Sequence, residues 1–170
     1  MKSGIVCFTI ISLFLFSGSF VNAQNRADIE AIHKVIDKYG KTEDAGDMVA
    51  QAKLMTADRV WIGPSGSGRI TDQAMNMASQ QSQLDAANAF VPGVEWFTDA
   101  RDRLINFYGN GKVAVASFYW YRTFVLPADT PLEKAKLLST PPPSVITLVL
   151  EKKGDWKIVH THSSSLNPQN

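Results

Sequence analysis

Gly154-Asp155-Trp156-Lys157-Ile158-Val159-His160-Thr161-His162-Ser163-Ser164 closes the ordered pattern of this chain. Gly154-Asp155 reads as a tight turn and Trp156 to Ser164 as the last strand. Strand side chains alternate between faces, so strict alternation places Trp156, Ile158, His160, His162 and Ser164 together. Two imidazoles at i and i+2 suit a metal, a proton relay, a polarised carbonyl, or plain hydrogen bonding at a sheet edge or interface. A metal needs a third protein ligand. The remaining histidine, His33, sits on a helical stretch and no acid spacing accompanies the pair, so no metal site is expected.

Upstream, Ser144 to Lys152 reads as a partner strand. Residues 127–143 form an excursion bounded by Pro127 and Pro141-Pro142-Pro143, with a short helix near 131–138. Asn110-Gly111 is a hairpin turn between two apolar runs, 94–108 and 112–126, the first with an irregularity near Asp99 to Asp102. On 112–126, Ser117, Tyr119, Tyr121 and Thr123 share one face. Ala116, Phe118, Trp120, Arg122 and Phe124 share the other, and either face suits a core.

The first half is helical. Ile29, Ile32, Val35, Ile36 and Tyr39 fall at helical spacing over 26–40. Asp47 reads as the N-cap of a second helix carrying Met48, Val49, Ala52, Leu54 and Met55. Asp58 to Gly63 reads as a short strand, 64–68 as a loop, and Thr71 as the cap of a third helix over 72–88. Helices followed by a run of strands predict an α+β fold with helices on one face of a bent antiparallel sheet.

The 170 residues, 45% of them apolar, fit one domain; 17 basic against 16 acidic residues give +1, which offers no basic patch for nucleic acid. One cysteine excludes an internal disulfide and a cysteine-based zinc site. Lys2, an apolar run from Ile5 to Phe16, and Val21-Asn22-Ala23 read as a signal peptide cleaved after Ala23. The run is shorter than the ~20 apolar residues of a membrane span, so no stable membrane anchor is expected after cleavage. Residues 24–170 then form one exported, periplasmic or secreted, domain, neutral and cysteine-free, with a disordered tail from about 166.

Among other groups, Gly63-Pro64-Ser65-Gly66-Ser67-Gly68 lacks the Gly-Lys-Ser/Thr ending of a phosphate loop and the nucleophile elbow of a serine hydrolase. Asp44, Asp47, Asp58, Glu95 and Asp99 are acid candidates, of which only one buried beside a pocket would gain a general base's raised pKa. The hydroxyls of the long strand suit ligand orientation in an apolar pocket.

The helix ending near Tyr39, the link with Asp44 and Asp47, and the strand Asp58-Arg59-Val60-Trp61 resemble the SnoaL-like branch of the nuclear transport factor 2-like (NTF2-like) superfamily. The closing Trp-x-Ile-Val-His-x-His-x-Ser pattern is also similar to the association domain of calcium/calmodulin-dependent kinase II. The resemblance covers about 26–165. It implies a cone-shaped curved antiparallel sheet wrapped around N-terminal helices, a SnoaL-like or cystatin-like α+β barrel, with a pocket at its open end and homodimers through the outer sheet face. Tyr39 and Asp44 match the Tyr-x4-Asp spacing of some enzymatic members. Their implied role, with His160 and His162, is acid/base chemistry next to a carbonyl. Trp61, Tyr119, Tyr121, Arg122 and Ser164 are the candidate ligand contacts. The pocket arginines of that association domain have no match, Ser163 standing where a basic residue often lies; Arg122 is a candidate substitute, with its strand phase open.

Three functions follow. The first is an exported domain binding a small, partly apolar ligand in the cone pocket. The second is a cofactor-independent isomerase, dehydratase or cyclase, with Asp44 as base and Tyr39 and a histidine polarising the substrate oxygen. The third is an assembly module with the histidines in a subunit interface. The inward face of the last strand decides among them.

Overall fold

The computed structural model describes residues 5–64 and 68–166, the stretch 5–24 as backbone alone. Ten elements follow one another: α1 (Ile5–Asp44), α2 (Met48–Ala52), β1 (Met55–Ile62), β2 (Arg69–Ile70), α3 (Gln73–Phe90), β3 (Glu95–Tyr108), β4 (Val113–Val125), α4 (Leu132–Leu137), β5 (Ser144–Lys153) and β6 (Asp155–Ser165). The chain divides within α1 into two compact units, Met1–Lys34 and Val35–Asn170. The first is helical where described, with an exposed Arg26–Glu30 pair one turn apart. The sheet and every site residue below belong to the second. Residues 1–4 of the expected leader, 65–67 of the glycine-serine loop and 167–170 of the expected tail lie outside the described residues. No described helix is long and apolar enough to cross a membrane.

The architecture is α+β. Six strands form one curved sheet in the order β2-β1-β6-β5-β4-β3. All neighbours are antiparallel except β1 and β6, which run parallel, and the sheet ends in two free edges rather than closing into a barrel. Parallel pairing follows from connectivity: β1 reaches β6 only through the whole intervening chain, so no hairpin constrains their direction.

Local chemistry sets the element ends. Asp47 caps α2 by accepting from the Ala50 amide at 2.8 Å, but α2 stops at Ala52, and Met55 opens β1 instead of extending the helix. α3 is capped by Asp72, whose Oδ1 accepts from the Met75 amide at 2.7 Å, rather than by Thr71. The carboxylate three residues ahead of that amide occupies the cap geometry. The β3–β4 connection puts Asn110 at φ 55° and Gly111 at φ 77°, the left-handed backbone that an Asn-Gly turn supplies at low cost. The pairing of β3 with β4 shifts between Arg101 and Leu104, where Asp102 takes φ 54°, within a residue or two of the expected irregularity.

β6 departs from strict alternation. Its pairing with β5 shifts between Val149↔His160 and Leu150↔Ile158, leaving Val159 as an extra residue. A bulge of this kind moves the following side chains to the other face. Trp156 and Ile158 are buried before it; Thr161 and Ser163 are buried after it. The single face expected to carry Trp156, Ile158, His160, His162 and Ser164 is therefore two faces, the last three residues having crossed over.

The core of the second unit lies on the inner face of the sheet. Ala114, Ala116, Phe118 and Trp120 of β4, with Ile146, Leu148 and Leu150 of β5, are all buried. Tyr39 of α1 meets Trp120 edge to face, ring centres 5.7 Å apart. Phe118, Phe107 and Trp156 continue the aromatic contacts.

Candidate functional site

A cavity of about 320 Å³ opens between the inner sheet face, the end of α1 and α3, at the small end of the roughly 300–1,000 Å³ typical of ligand pockets. Tyr39 and Glu43, one helical turn apart, present the same face of α1 to it. Asn76, Gln80, Gln83, Leu84 and Ala87 follow at helical spacing along α3. The sheet contributes Trp61, Trp96, Trp120, Arg122, Ile146, Thr161 and Ser163. Three indole rings and the aliphatic Leu84, Ala87 and Ile146 share the wall with polar side chains, among them one charged pair.

That pair is Glu43 and Arg122. The Arg122 Nη1 lies 3.2 Å from Glu43 Oε1, and both side chains are largely enclosed. The guanidinium also stacks over the Trp96 ring, 4.4 Å from its centre. Burial pushes the Glu43 carboxyl above the ordinary range; Arg122 opposes this, neighbouring Asp44 reinforces it, and Arg59 opposes it further.

Behind the cavity wall sits Arg59, fully buried. Its Nη1 donates to Asn76 Oδ1 and to the Met55 sulfur at 3.0 Å; its Nη2 donates to Thr161 Oγ1 at 2.9 Å and to the Tyr39 hydroxyl at 3.2 Å. Every one of these partners is neutral. Burial raises the Tyr39 pKa, with Arg59 the main opposing influence, so the phenol keeps its proton. Its oxygen already accepts from Arg59, which leaves the O–H to donate elsewhere.

The sequence-derived residues separate into two groups. Tyr39, Trp61 and Arg122 line the cavity. Asp44 does not: its two carboxylate oxygens accept from the Thr98 amide, at 2.9 Å, and from the Thr98 hydroxyl, fastening α1 to β3. Tyr119 and Tyr121 stand on the outer sheet face, 39% and 37% exposed, because they alternate with Trp120 and Arg122. His160, His162 and Ser164 are on that outer face too, alternating with Thr161 and Ser163. Burial, with help from His162 and Arg59, pushes the His160 imidazole below the usual histidine range. Among the described residues no cluster of three or more His, Cys, Asp or Glu could hold a metal ion.

The structure adds Glu43, Trp96, Trp120, Thr161 and Ser163 to the cavity and Arg59 behind it. Glu43 had a legible signal, its one-turn spacing from Tyr39. The open phase of β4 resolves with Arg122 turned inward beside Trp120, and β1 turns Arg59 inward with Trp61.

No protein-family model matches the chain, and no curated protein does. Solved structures do. An NTF2-like protein with a cystatin-like fold from Novosphingobium aromaticivorans superposes with a TM-score of 0.70 at 18% identity, covering 90% of this chain and 91% of its own. ActVI-ORFA from Streptomyces coelicolor gives 0.66 at 14% identity, covering 84% and 97%. A proposed dehydratase of the NTF2-like family from Streptomyces avermitilis gives 0.61 at 15%, covering 85% and 99%. The chain therefore has an NTF2-like, cystatin-like fold, and its structural neighbours are proteins of the NTF2-like superfamily.

Proposed function

We propose that this protein is an exported binder of a small, partly apolar ligand, held in the cavity between α1, α3 and the sheet. The observation that carries the reading is a wall of three tryptophans, Trp61, Trp96 and Trp120, interrupted by the Tyr39 hydroxyl and the Glu43–Arg122 pair. Apolar walls with a few convergent polar groups are what ligand sites share. Export rests on the Lys2 to Ala23 leader pattern. Three of the four tryptophans line the cavity, so ligand entry perturbs intrinsic fluorescence. Titration with indole, naphthalene and aromatic carbonyl compounds should give saturable quenching, abolished by the cavity-filling Ala87→Phe. Quenching that is absent throughout, or unchanged in Ala87→Phe, rejects the reading.

Glu43 favours a second reading, acid/base chemistry next to a carbonyl. A carboxyl with a raised pKa faces the cavity one turn from a phenol that retains its proton. Glu43, in place of Asp44, would take the proton from the carbon beside the carbonyl, and Tyr39 would donate to the carbonyl oxygen. The match to a proposed dehydratase is in keeping with this chemistry. Deuterium exchange at that carbon, followed by NMR, should be catalysed by the wild type and lost in Glu43→Gln.

We also propose a homodimer through the outer sheet face. Phe97, Leu104, Tyr119 and Tyr121 are exposed there, and His160 and His162 share the surface.

A further inference from the structure

We infer that the cavity is built for a ligand with a carboxylate end, seated against Arg122. This rests on the ligand-binding reading and narrows it to a chemical class. The first support is an excess of donors. Arg122 spends Nη1 on Glu43, while its Nε and Nη2 are buried without a hydrogen-bond partner, as is Trp96 Nε1 on the ring beneath it. The Tyr39 hydroxyl accepts from Arg59 and has Gln80 as a second hydrogen-bonding neighbour, so it adds nothing to the surplus. Against these, Gln80 Oε1 is the one unmatched buried acceptor on the cavity wall among the described residues. An unmet buried donor is costly, so the ligand that relieves this wall is rich in acceptors.

Charge is the second support, independent of hydrogen-bond counting. Two guanidinium groups, Arg122 in the wall and Arg59 behind it, face a single carboxylate, Glu43. Of the neighbouring acids, Asp37 pairs with Arg103 at 2.6 Å, and Asp44 spends its oxygens on Thr98 rather than on either guanidinium. Arg59 has only neutral partners among the described residues. A buried cation short of direct ionic partners is costly, and a carboxylate in the cavity supplies one to the side of Arg122 that Glu43 leaves open. A planar guanidinium fixed by stacking is also the group suited to two-point recognition of a carboxylate. The tryptophan walls then select an aromatic or otherwise apolar body.

In this arrangement Glu43 is the ligand's competitor for Arg122, which separates the inference from a general preference for apolar molecules. The test compares 2-naphthoate with its neutral near-isostere 2-naphthamide, by tryptophan fluorescence and by calorimetry at pH 7. Wild type should bind the acid at least tenfold tighter than the amide. Arg122→Gln should erase that preference, and Glu43→Gln should raise the acid-to-amide affinity ratio several-fold. Circular dichroism checks that each variant is folded; if Arg122→Gln is not, Glu43→Gln decides alone. Equal or tighter binding of the amide, or an acid preference that Glu43→Gln fails to increase, overturns the inference while the ligand-binding reading stands. Failure of these two and of all neutral aromatic probes overturns both.

Discussion

Arg59 is the residue on which the inner wall depends. Its four partners come from β1, α1, α3 and β6, so one side chain ties together elements far apart in the chain. Truncation leaves Asn76, Thr161 and Tyr39 without that donor and opens a hole. Arg59→Ala is expected to lower stability in urea unfolding by about 3 kcal/mol or more; Arg59→Met, which keeps most of the volume and removes the buried charge, should cost less. Glu43 titrates in the opposite sense from a surface acid. Its folded-state pKa is raised, so the native state binds the proton more tightly than the unfolded chain does. The stability this gives is complete below about pH 4.5 and is lost as pH rises through the folded value. Glu43→Gln lacks this dependence, and its melting temperature relative to wild type should therefore climb as pH increases from 4.5 towards neutrality. Glu43 shows in sequence only through its one-turn spacing from Tyr39, and Arg59 shows less. Arg59 stands in a recognisable strand, but its burial comes from acceptors 17, 20 and 102 positions away.

At the scale of elements, hydrophobic spacing and turn chemistry carry most of the information. The α1 stripe through Ile36 and Tyr39, the Asn110-Gly111 turn and the β-branched runs of β4 and β5 are legible because each is a local pattern. β2 was hidden: two residues, Arg69 and Ile70, form a strand only because β1 is there to pair with. The phase of β6 was hidden for a related reason. Nothing in Ile158-Val159-His160 marks Val159 as the extra residue; the pairing of β5 with β6 decides it. The candidate site suffered most, since a one-residue slip exchanges imidazoles for hydroxyls at the cavity wall. Capping is the opposite case, a local effect with a local test. α3 supplies a whole wall of the cavity, and its first turn is held by Asp72. Asp72→Ala should cost about 1 kcal/mol in thermal or chemical unfolding, whereas Thr71→Ala should change little.

At the scale of the whole molecule, the inner face of the sheet carries the core and the cavity while the outer face exposes several large apolar side chains. Phe97 and Leu104, 47% and 62% exposed, join Tyr119 and Tyr121 on the outer face. A partner subunit would cover that surface, in keeping with the contiguous exposed patches that mark interfaces. Sedimentation equilibrium should find a dimer for the wild type and a shift towards monomer for Tyr121→Asp, with the cavity's fluorescence response retained because Tyr121 faces away from it. Loss of that response would instead place ligand binding and association on one coupled surface.

The open sheet has one further consequence. β3 is a 14-residue edge strand with no strand on its outer side, the kind of edge on which other chains add strands and fibrils begin. The kink at Arg101–Leu104 falls near its middle, with Asp102 in a left-handed backbone and Asp99, Arg101 and Arg103 around it. An irregular, charged centre splits the edge into two short stretches, neither long enough to be a good template. An edge broken in this way is expected to resist polymerisation along its own backbone at high concentration.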